Sequence, residues 1–455
     1  MKQRFSILST FLVCALLWPA RTSALTGSWR GKLKVGQTGL AIVFNFTESD
    51  DGTTRCTLDS PMQGAKGIPT TVLFCTSDSV SLRCDAVGAT YEGRILTDAI
   101  EGTFRQRGHA FPLHLTPEIP IEVRRPQTPR PPFPYAVTDT TFTASDGAVM
   151  SATLTMPYRL MSTKIPVVLM VSGSGPQNRD EEIFDHHPFV VLADHLARNG
   201  IGSLRYDDRG VGKSTGDFPS ATTATFRDDA RSGIAFLRSI GAVGKVGVLG
   251  HSEGGTIAFM LGAEGCTDFI ISLAGMAVTG KETMMRQNSH ALDLAGVTGE
   301  EKETSLRLIE IVSDAVAEQS RIGVCRPIDI DSIASTAGLK VSPQIVSSLK
   351  TTQKMRTPWF DGFFALNPPA YLKDIKCPLL ALNGDRDTQV DGVANTTMIR
   401  KLVPQAEVRL LPGLNHLMQQ ATTGEIAEYN DIRETLSPEV LEIIADFVKR
   451  ITKND

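Results

Sequence analysis

The stretch "VGVLGHSEGGTIAFML" sets Ser252 between Gly250 and Gly254, with an apolar run before it and a helical pattern after it. A G-x-S-x-G spacing at a strand-to-helix turn suits nucleophilic chemistry, because the flanking positions must lack side chains for the serine to be lifted out of a strained backbone. The N-terminal dipole of the following helix then faces any negative charge that develops there. A serine hydroxyl is a weak nucleophile, so it needs a base, and the base needs an acid to orient it. Of the eight histidines only His416, in "LLPGLNHLMQ", lies beyond residue 290, and it is the candidate base. The acid is expected after the run "CPLLALNG", where Asp385, Asp387 and Asp391 compete. The G-x-x-D spacing from Gly384 selects Asp387, with Asp385 left to shape the turn. A tetrahedral oxyanion needs two backbone donors. One is the amide of Glu253; the other is expected at Ser174, in the loop "SGSGPQNRDEE" that follows "VVLMV". In the same loop Gln177, Asn178 and Arg179 are candidates to rim a pocket and bind substrate. The set describes acyl transfer through a covalent serine intermediate.

Two other stretches suggest different chemistry and do not sustain it. Residues 206–216, "YDDRGVGKSTG", contain GVGKST, but a phosphate loop needs G-x-x-x-x-G-K-[ST] and Asp207 stands where its first glycine belongs. A carboxylate there would repel phosphate, which argues against nucleotide hydrolysis. The same residues fit D-x-R-G-x-G-x-S (Asp207, Arg209, Gly210, Gly212, Ser214), expected to brace the floor of the site through an acid–arginine network. The run "DEEIFDHH", residues 180–187, resembles a metal-ligand cluster. A serine triad has no use for a metal, and no metal or other cofactor is expected. His251 reads as a packed neighbour of the nucleophile.

The elements that must position these residues follow from the pattern of apolar runs. From residue 25 to 123 short alternating strands are broken by Gly, Asp and Ser clusters, which predicts a small all-β barrel or sandwich of roughly eight strands. Residues 124–135, "RRPQTPRPPFPY", are proline-rich and predict a stiff, extended linker at a domain boundary. From 136 to 455 compact apolar runs alternate with helical stretches, which predicts a mostly parallel sheet flanked by helices. Residues 278–370 break the alternation with helical sequence only and are read as a cap over the strands' C-terminal ends.

From residue 135 onward the chain resembles the α/β-hydrolase superfamily, on D-x-R-G-x-G-x-S, GHSEGG, the acid in "LNGDRD" and the histidine in "GLNH". "SGSGPQNRDEEIF", "LRYDDRGVGKSTG" and "PLLALNGDRDTQV", together with "LDSPMQGAKGIP" of the β-domain, are similar to a group of exported bacterial serine hydrolases, many from Bacteroidetes, in which a small β-domain precedes the catalytic one. The resemblance implies an α/β-hydrolase fold with a helical cap and carboxylic-ester hydrolysis through an acyl-enzyme. Ser172-Gly173 stands where many members of the superfamily carry His-Gly.

The N-terminus reads as a cleaved signal peptide over residues 1–24: Lys2 and Arg4, then an apolar stretch to Trp18, then Thr22-Ser23-Ala24. Export to the periplasm or beyond is expected, with no stable membrane insertion. A net charge of −4 gives no electrostatic reason for nucleic acid or an anionic membrane as partner; the expected partner is a small-molecule ester. The six cysteines after the signal form no C-x-x-C pair, and one disulfide among Cys56, Cys75 and Cys84 competes with their being small buried hydrophobes. Rival readings are a serine peptidase or amidase of prolyl-oligopeptidase type, a thioesterase or acyltransferase, and a lipid- or glycan-binding role for the β-domain. About a hundred residues before the linker are too few for the four or more blades of the propeller that such peptidases carry.

Overall fold

The computed structural model describes residues 25–35, 38–49, 52–61, 65–106, 108–118, 124–158, 164–354 and 356–453. The expected signal segment, 1–24, lies outside them. The chain divides into two units, Met1–Ile119 and Pro120–Asp455.

In the first unit β1 (Gly27–Val35), β2 (Thr38–Glu48), β3 (Thr54–Ser60), β4 (Ala65–Cys75), β5 (Ser79–Cys84), β6 (Ala89–Ile95), β7 (Ile100–Gln106) and β8 (His109–Pro117) pair antiparallel in chain order. Pairing of β8 with β1 closes them into a barrel, so of the two expected forms the sandwich is not adopted. Alternate residues point inward, among them Trp29, Phe44, Leu58, Leu82, Phe104 and Leu115, and form one continuous core. Tyr91 is buried there with its hydroxyl 3.2 Å from the carbonyls of Ile100 and Leu113. Gly93 makes room for it, since a Cβ on that residue would stand 2.8 Å from the phenolic oxygen. Cys56, Cys75 and Cys84 are free thiols. For Cys56 and Cys84 the reason is spacing: β4 runs between their strands, and two inter-strand gaps of about 4.8 Å exceed the ~7 Å that a disulfide spans.

The second unit is built on β9 (Tyr135–Thr143), β10 (Val149–Pro157), β11 (Ile165–Val171), β12 (Gly202–Tyr206), β13 (Val243–His251), β14 (Phe269–Leu273), β15 (Leu379–Gly384) and β16 (Glu407–Leu411). They form one sheet in the order β9-β10-β12-β11-β13-β14-β15-β16, in which β10 alone runs against the others. Its inner strands are buried on both faces: Val167, Leu169 and Val171 belong to one core, Val168 and Met170 to the other. The helices on these faces are α1 (Pro188–Arg198), α2 (Thr223–Ser239) and α3 (Glu253–Ala263). Between β14 and β15 come α4 (Gly280–Leu294), α5 (Gly299–Arg321), α6 (Ile330–Thr336), α7 (Pro343–Lys354), α8 (Pro358–Ala365) and α9 (Pro368–Leu372). After β15 follow α10 (Gly392–Leu402), α11 (Ile426–Tyr429) and α12 (Pro438–Thr452). α2 and α3 pack on the first core, α1 and α12 on the second. Among the described residues no helix is long and apolar enough to cross a membrane. This strand order, with its one reversed strand and an insertion between β14 and β15, is the α/β-hydrolase fold.

The proline-rich segment is docked on this unit along its first residues. Arg125 is buried and donates to the carbonyls of Phe184, Asn430 and Ile432, while the Gln127 side chain bonds the backbone of Thr435 and Leu436. A free guanidinium inside protein would be costly; these carbonyls and that of Arg124 give it four acceptors in its buried place.

Candidate active site

β13 delivers Ser252 and α3 carries the chain away. Ser252 has φ 54° and ψ −118°, a region that a side chain occupies only under constraint. The constraint is visible in its neighbours. A Cβ on Gly250 would lie 1.9 Å from the carbonyl oxygen of Gly254, and one on Gly254 would lie 2.1 Å from that of Val171. Both glycines are therefore required for the turn to close against β11. The first amides of a helix have no partner within it, and Glu253, the first residue of α3, brings such an amide next to Ser252.

The three aspartates after β15 have separate places. Asp385 accepts from the Gly413 amide at 2.7 Å and ties the turn to the loop after β16. Asp391 caps α10 by accepting from Ala394 and pairs with Arg286 of α4. Asp387 is the one that meets His416: its Oδ2 lies 2.7 Å from Nδ1, while its Oδ1 accepts from the amides of Gln389 and Val390, both at 2.8 Å. Gly384 allows this approach, since a Cβ there would stand 2.0 Å from the Leu414 carbonyl.

Ser252 and His416 line one cleft of about 260 Å³. Its walls are Ile183, Met276, Val390 and Leu417 from the sheet side, with Met284 of α4 and Trp359 and Phe363 of α8 from the insertion. Of the three expected rim residues, only Gln177 faces the cleft. Asn178 turns inward, its side-chain oxygen accepting from the amides of Asp180 and Glu182. Arg179 is held by both carboxylate oxygens of Asp207 and by the hydroxyls of Ser151 and Thr153, a network that commits its guanidinium away from substrate. Arg209 is likewise bound to Asp229 and Asp146, so the D-x-R-G-x-G-x-S loop braces the sheet as its pattern implies. His186 is fully buried against Thr435 and the Tyr429 carbonyl, a structural use of the histidine in "DEEIFDHH".

Sequence reasoning misses what holds the loop after β11. Three successive residues are each tied to a different buried acid. The Ser172 hydroxyl donates to Asp208 at 3.0 Å, the Gly173 amide to Glu181 at 2.8 Å, and the Ser174 hydroxyl bonds Glu253. Gly173 sits against the nucleophile, a Cβ on it falling 3.2 Å from that of Ser252. With the Gly173 amide taken, the next donor along the loop is that of Ser174. Glu253 reaches further: its carboxylate accepts from Thr223 at the start of α2 and from the Trp359 indole of α8 at 2.8 Å. An acid-rich run beside "SGSG" is the signal in the sequence, but which acid meets which residue depends on tertiary approach.

Two of these acids, Asp208 and Glu253, are held above the ordinary carboxylate range by burial. Burial pushes the Asp208 carboxyl up to about 8, with the Gln177 amide and Ser172 hydroxyl opposing and the nearby Glu253 and Glu181 adding to it. In the unfolded chain the same group ionises near about 4. Between those values the folded protein keeps a proton that the unfolded chain has released, so this share of stability is full below about pH 4 and lost as pH rises through about 8. Asp208→Asn, which stays neutral, is expected to show a shallower fall in Tm between about pH 5 and 8 than the parent protein. Identical slopes in thermal melts would remove Asp208 as the source.

A family model described as "Serine aminopeptidase, S33" matches residues 187–309. The esterase EstD of Thermotoga maritima is 25% identical over 259 residues, covering 56% of this chain and 55% of that enzyme. The chain thus spans about half the length of the curated relative it matches. Among solved structures an esterase of Pyrococcus furiosus aligns over 70% of this chain and 91% of its own, at 16% identity and a TM-score of 0.41. A protein of Pseudomonas aeruginosa aligns over 71% and 96%, at 16% identity and a TM-score of 0.45. Strand order and the serine turn give the second unit the α/β-hydrolase fold, and the family model matches the part of it that carries that turn.

Proposed function

We propose that the protein is a serine hydrolase that cleaves carboxylic esters of small, uncharged acyl groups. The observation behind this reading is that Ser252, on its strained turn, and His416 line a single cleft, with Asp387 bonded to His416 behind it. Ser252 Oγ attacks the ester carbonyl while His416 Nε2 takes its proton, and Asp387 holds the Nδ1–H so that Nε2 is free to do so. The amides of Ser174 and Glu253 receive the oxyanion. The alcohol leaves with the proton from His416, and water repeats the sequence to release the acid. The cleft walls suit an apolar acyl chain: among the described lining residues there is no lysine or arginine, and at about 260 Å³ the volume lies just below the usual range for ligand pockets.

The family model's description favours a second reading, an aminopeptidase. Such an enzyme must hold the substrate ammonium on a free carboxylate. Among the described residues that line this cleft the one carboxylate is Glu181, and it is committed to His251 and Gly173. The test is a comparison of p-nitrophenyl esters from acetate upward with aminoacyl anilides. A kcat/KM that is orders of magnitude higher for short esters is expected; preferential release of the anilide would transfer the enzyme to the peptidases.

A further inference from the structure

Beside the triad lies a second carboxylate–histidine pair that the reaction as written does not use. His251 Nδ1 stands 2.9 Å from Glu181 Oε1, and His251 Nε2 stands 2.9 Å from the carbonyl oxygen of His416. The same Glu181 oxygen accepts from the Gly173 amide. We propose that Glu181 and His251 are positioning residues that clamp the oxyanion loop, the nucleophile turn and the base loop to one another. The inference rests on the esterase reading above and names what keeps its parts in register.

The hydrogen-bond chemistry sets the charge. A backbone carbonyl only accepts, and so does an ionised carboxylate, so an imidazole between the two must donate from both nitrogens. His251 is then an imidazolium and Glu181 its counter-ion. Burial works against a charge on His251, yet the Glu181 carboxylate and the His416 carbonyl outweigh it and hold its proton affinity above the ordinary value. The groups facing this imidazole are Glu181, the backbone of His416 and, further off, Asp387. One side of the ring is apolar, with Phe189 and Leu192 of α1, Leu273 of β14 and Leu436 nearby, while the other faces the cleft and the His416 ring. In such a place each member of the pair needs the other.

The geometry assigns the pair its task. One step from Glu181 is Gly173, whose successor Ser174 offers the oxyanion amide. One step from His251 along the chain is Ser252; across its hydrogen bond is the backbone of His416, whose ring lies 4.8 Å away. Three segments far apart in sequence meet on two side chains. The loop that supplies Glu181 is itself constrained, with Glu181, Phe184 and Asp185 all at positive φ between 52° and 60°. Strained positions of this kind persist where the surroundings over-determine them.

A clamp of this sort acts on alignment in the transition state more than on substrate binding. In Glu181→Gln the side-chain oxygen still accepts from Gly173, but the charge is gone and His251 keeps one donor. With sites counted by fluorophosphonate titration, kcat per titrated site is expected to fall about 10- to 100-fold with little change in KM, the scale of a misplacement near 1 Å. A purely structural role would instead lower the number of titratable sites and leave kcat per site unchanged, and that result would overturn the proposal. Should Glu181→Gln not fold, nitrogen-15 NMR of the parent protein decides: two protected N–H groups on His251 near neutral pH support the clamp, and a single one contradicts it. If the parent protein neither takes the label nor turns over esters, the esterase reading has failed; if it does both and Glu181→Gln matches it, the clamp alone has failed.

Discussion

Replacing Ser252 with alanine is expected to lower kcat for a p-nitrophenyl ester by about 10⁵- to 10⁶-fold, the loss seen when the nucleophile of a serine triad is removed. The remaining rate would come from the oxyanion amides and the cleft, which still bind the ester but cannot form the acyl-enzyme. The fold should be indifferent to the change. Ser252 stands at the N-cap of α3 yet its side chain makes no cap hydrogen bond, and alanine meets the same φ of 54° with a smaller group. Stability is therefore expected to stay within about 1 kcal/mol of the parent, checked by thermal melting alongside the kinetics. A loss of less than about tenfold would point to a different nucleophile.

Asp387→Asn is expected to cost about 10⁴-fold in kcat with KM nearly unchanged. The reason lies in the two oxygens of Asp387. Oδ1 accepts from the amides of Gln389 and Val390, and Oδ2 faces His416 Nδ1. An asparagine keeps its carbonyl oxygen toward the two backbone donors, because the reversed orientation would set its NH₂ against them. The NH₂ then points at Nδ1, which must accept, and the imidazole proton moves to Nε2. A histidine in that tautomer cannot take the proton of Ser252. Retention of more than about a tenth of the activity across pH 6–9 would mean that Asp387 does not fix the tautomer.

What could be read ahead from the sequence is what backbone geometry dictates. Gly250 and Gly254 mark the serine turn because any Cβ there meets a carbonyl within about two ångströms, and that demand is legible as a spacing. G-x-x-D from Gly384 singles out Asp387 from two neighbours of the same chemistry, and the structure gives Asp385 and Asp391 other partners. Apolar runs of five to seven residues, such as "IPVVLMV" and "FIISL", announce strands covered on both faces. The parts that were not legible depend on long-range approach. Alternation along β1–β8 fits a sandwich as well as a barrel, since closure is decided by the pairing of β1 with β8. Arg179 looks like a rim residue until Asp207, 28 positions later, is found to hold it. Glu181 reaches His251 across 70 positions and only from a left-handed backbone that no propensity assigns to glutamate. Trp359 closes on Glu253 from a helical insertion whose placement no spacing rule predicts.

The central claim is that Ser252 is a nucleophile activated by His416. The most direct measurement is reaction with a fluorophosphonate followed by peptide mapping, on the parent protein and on His416→Ala. The account predicts one phosphonylated residue, Ser252, in the parent, and labelling slowed by several orders of magnitude in His416→Ala. Label on another residue, or equal labelling rates in the two proteins, would contradict it.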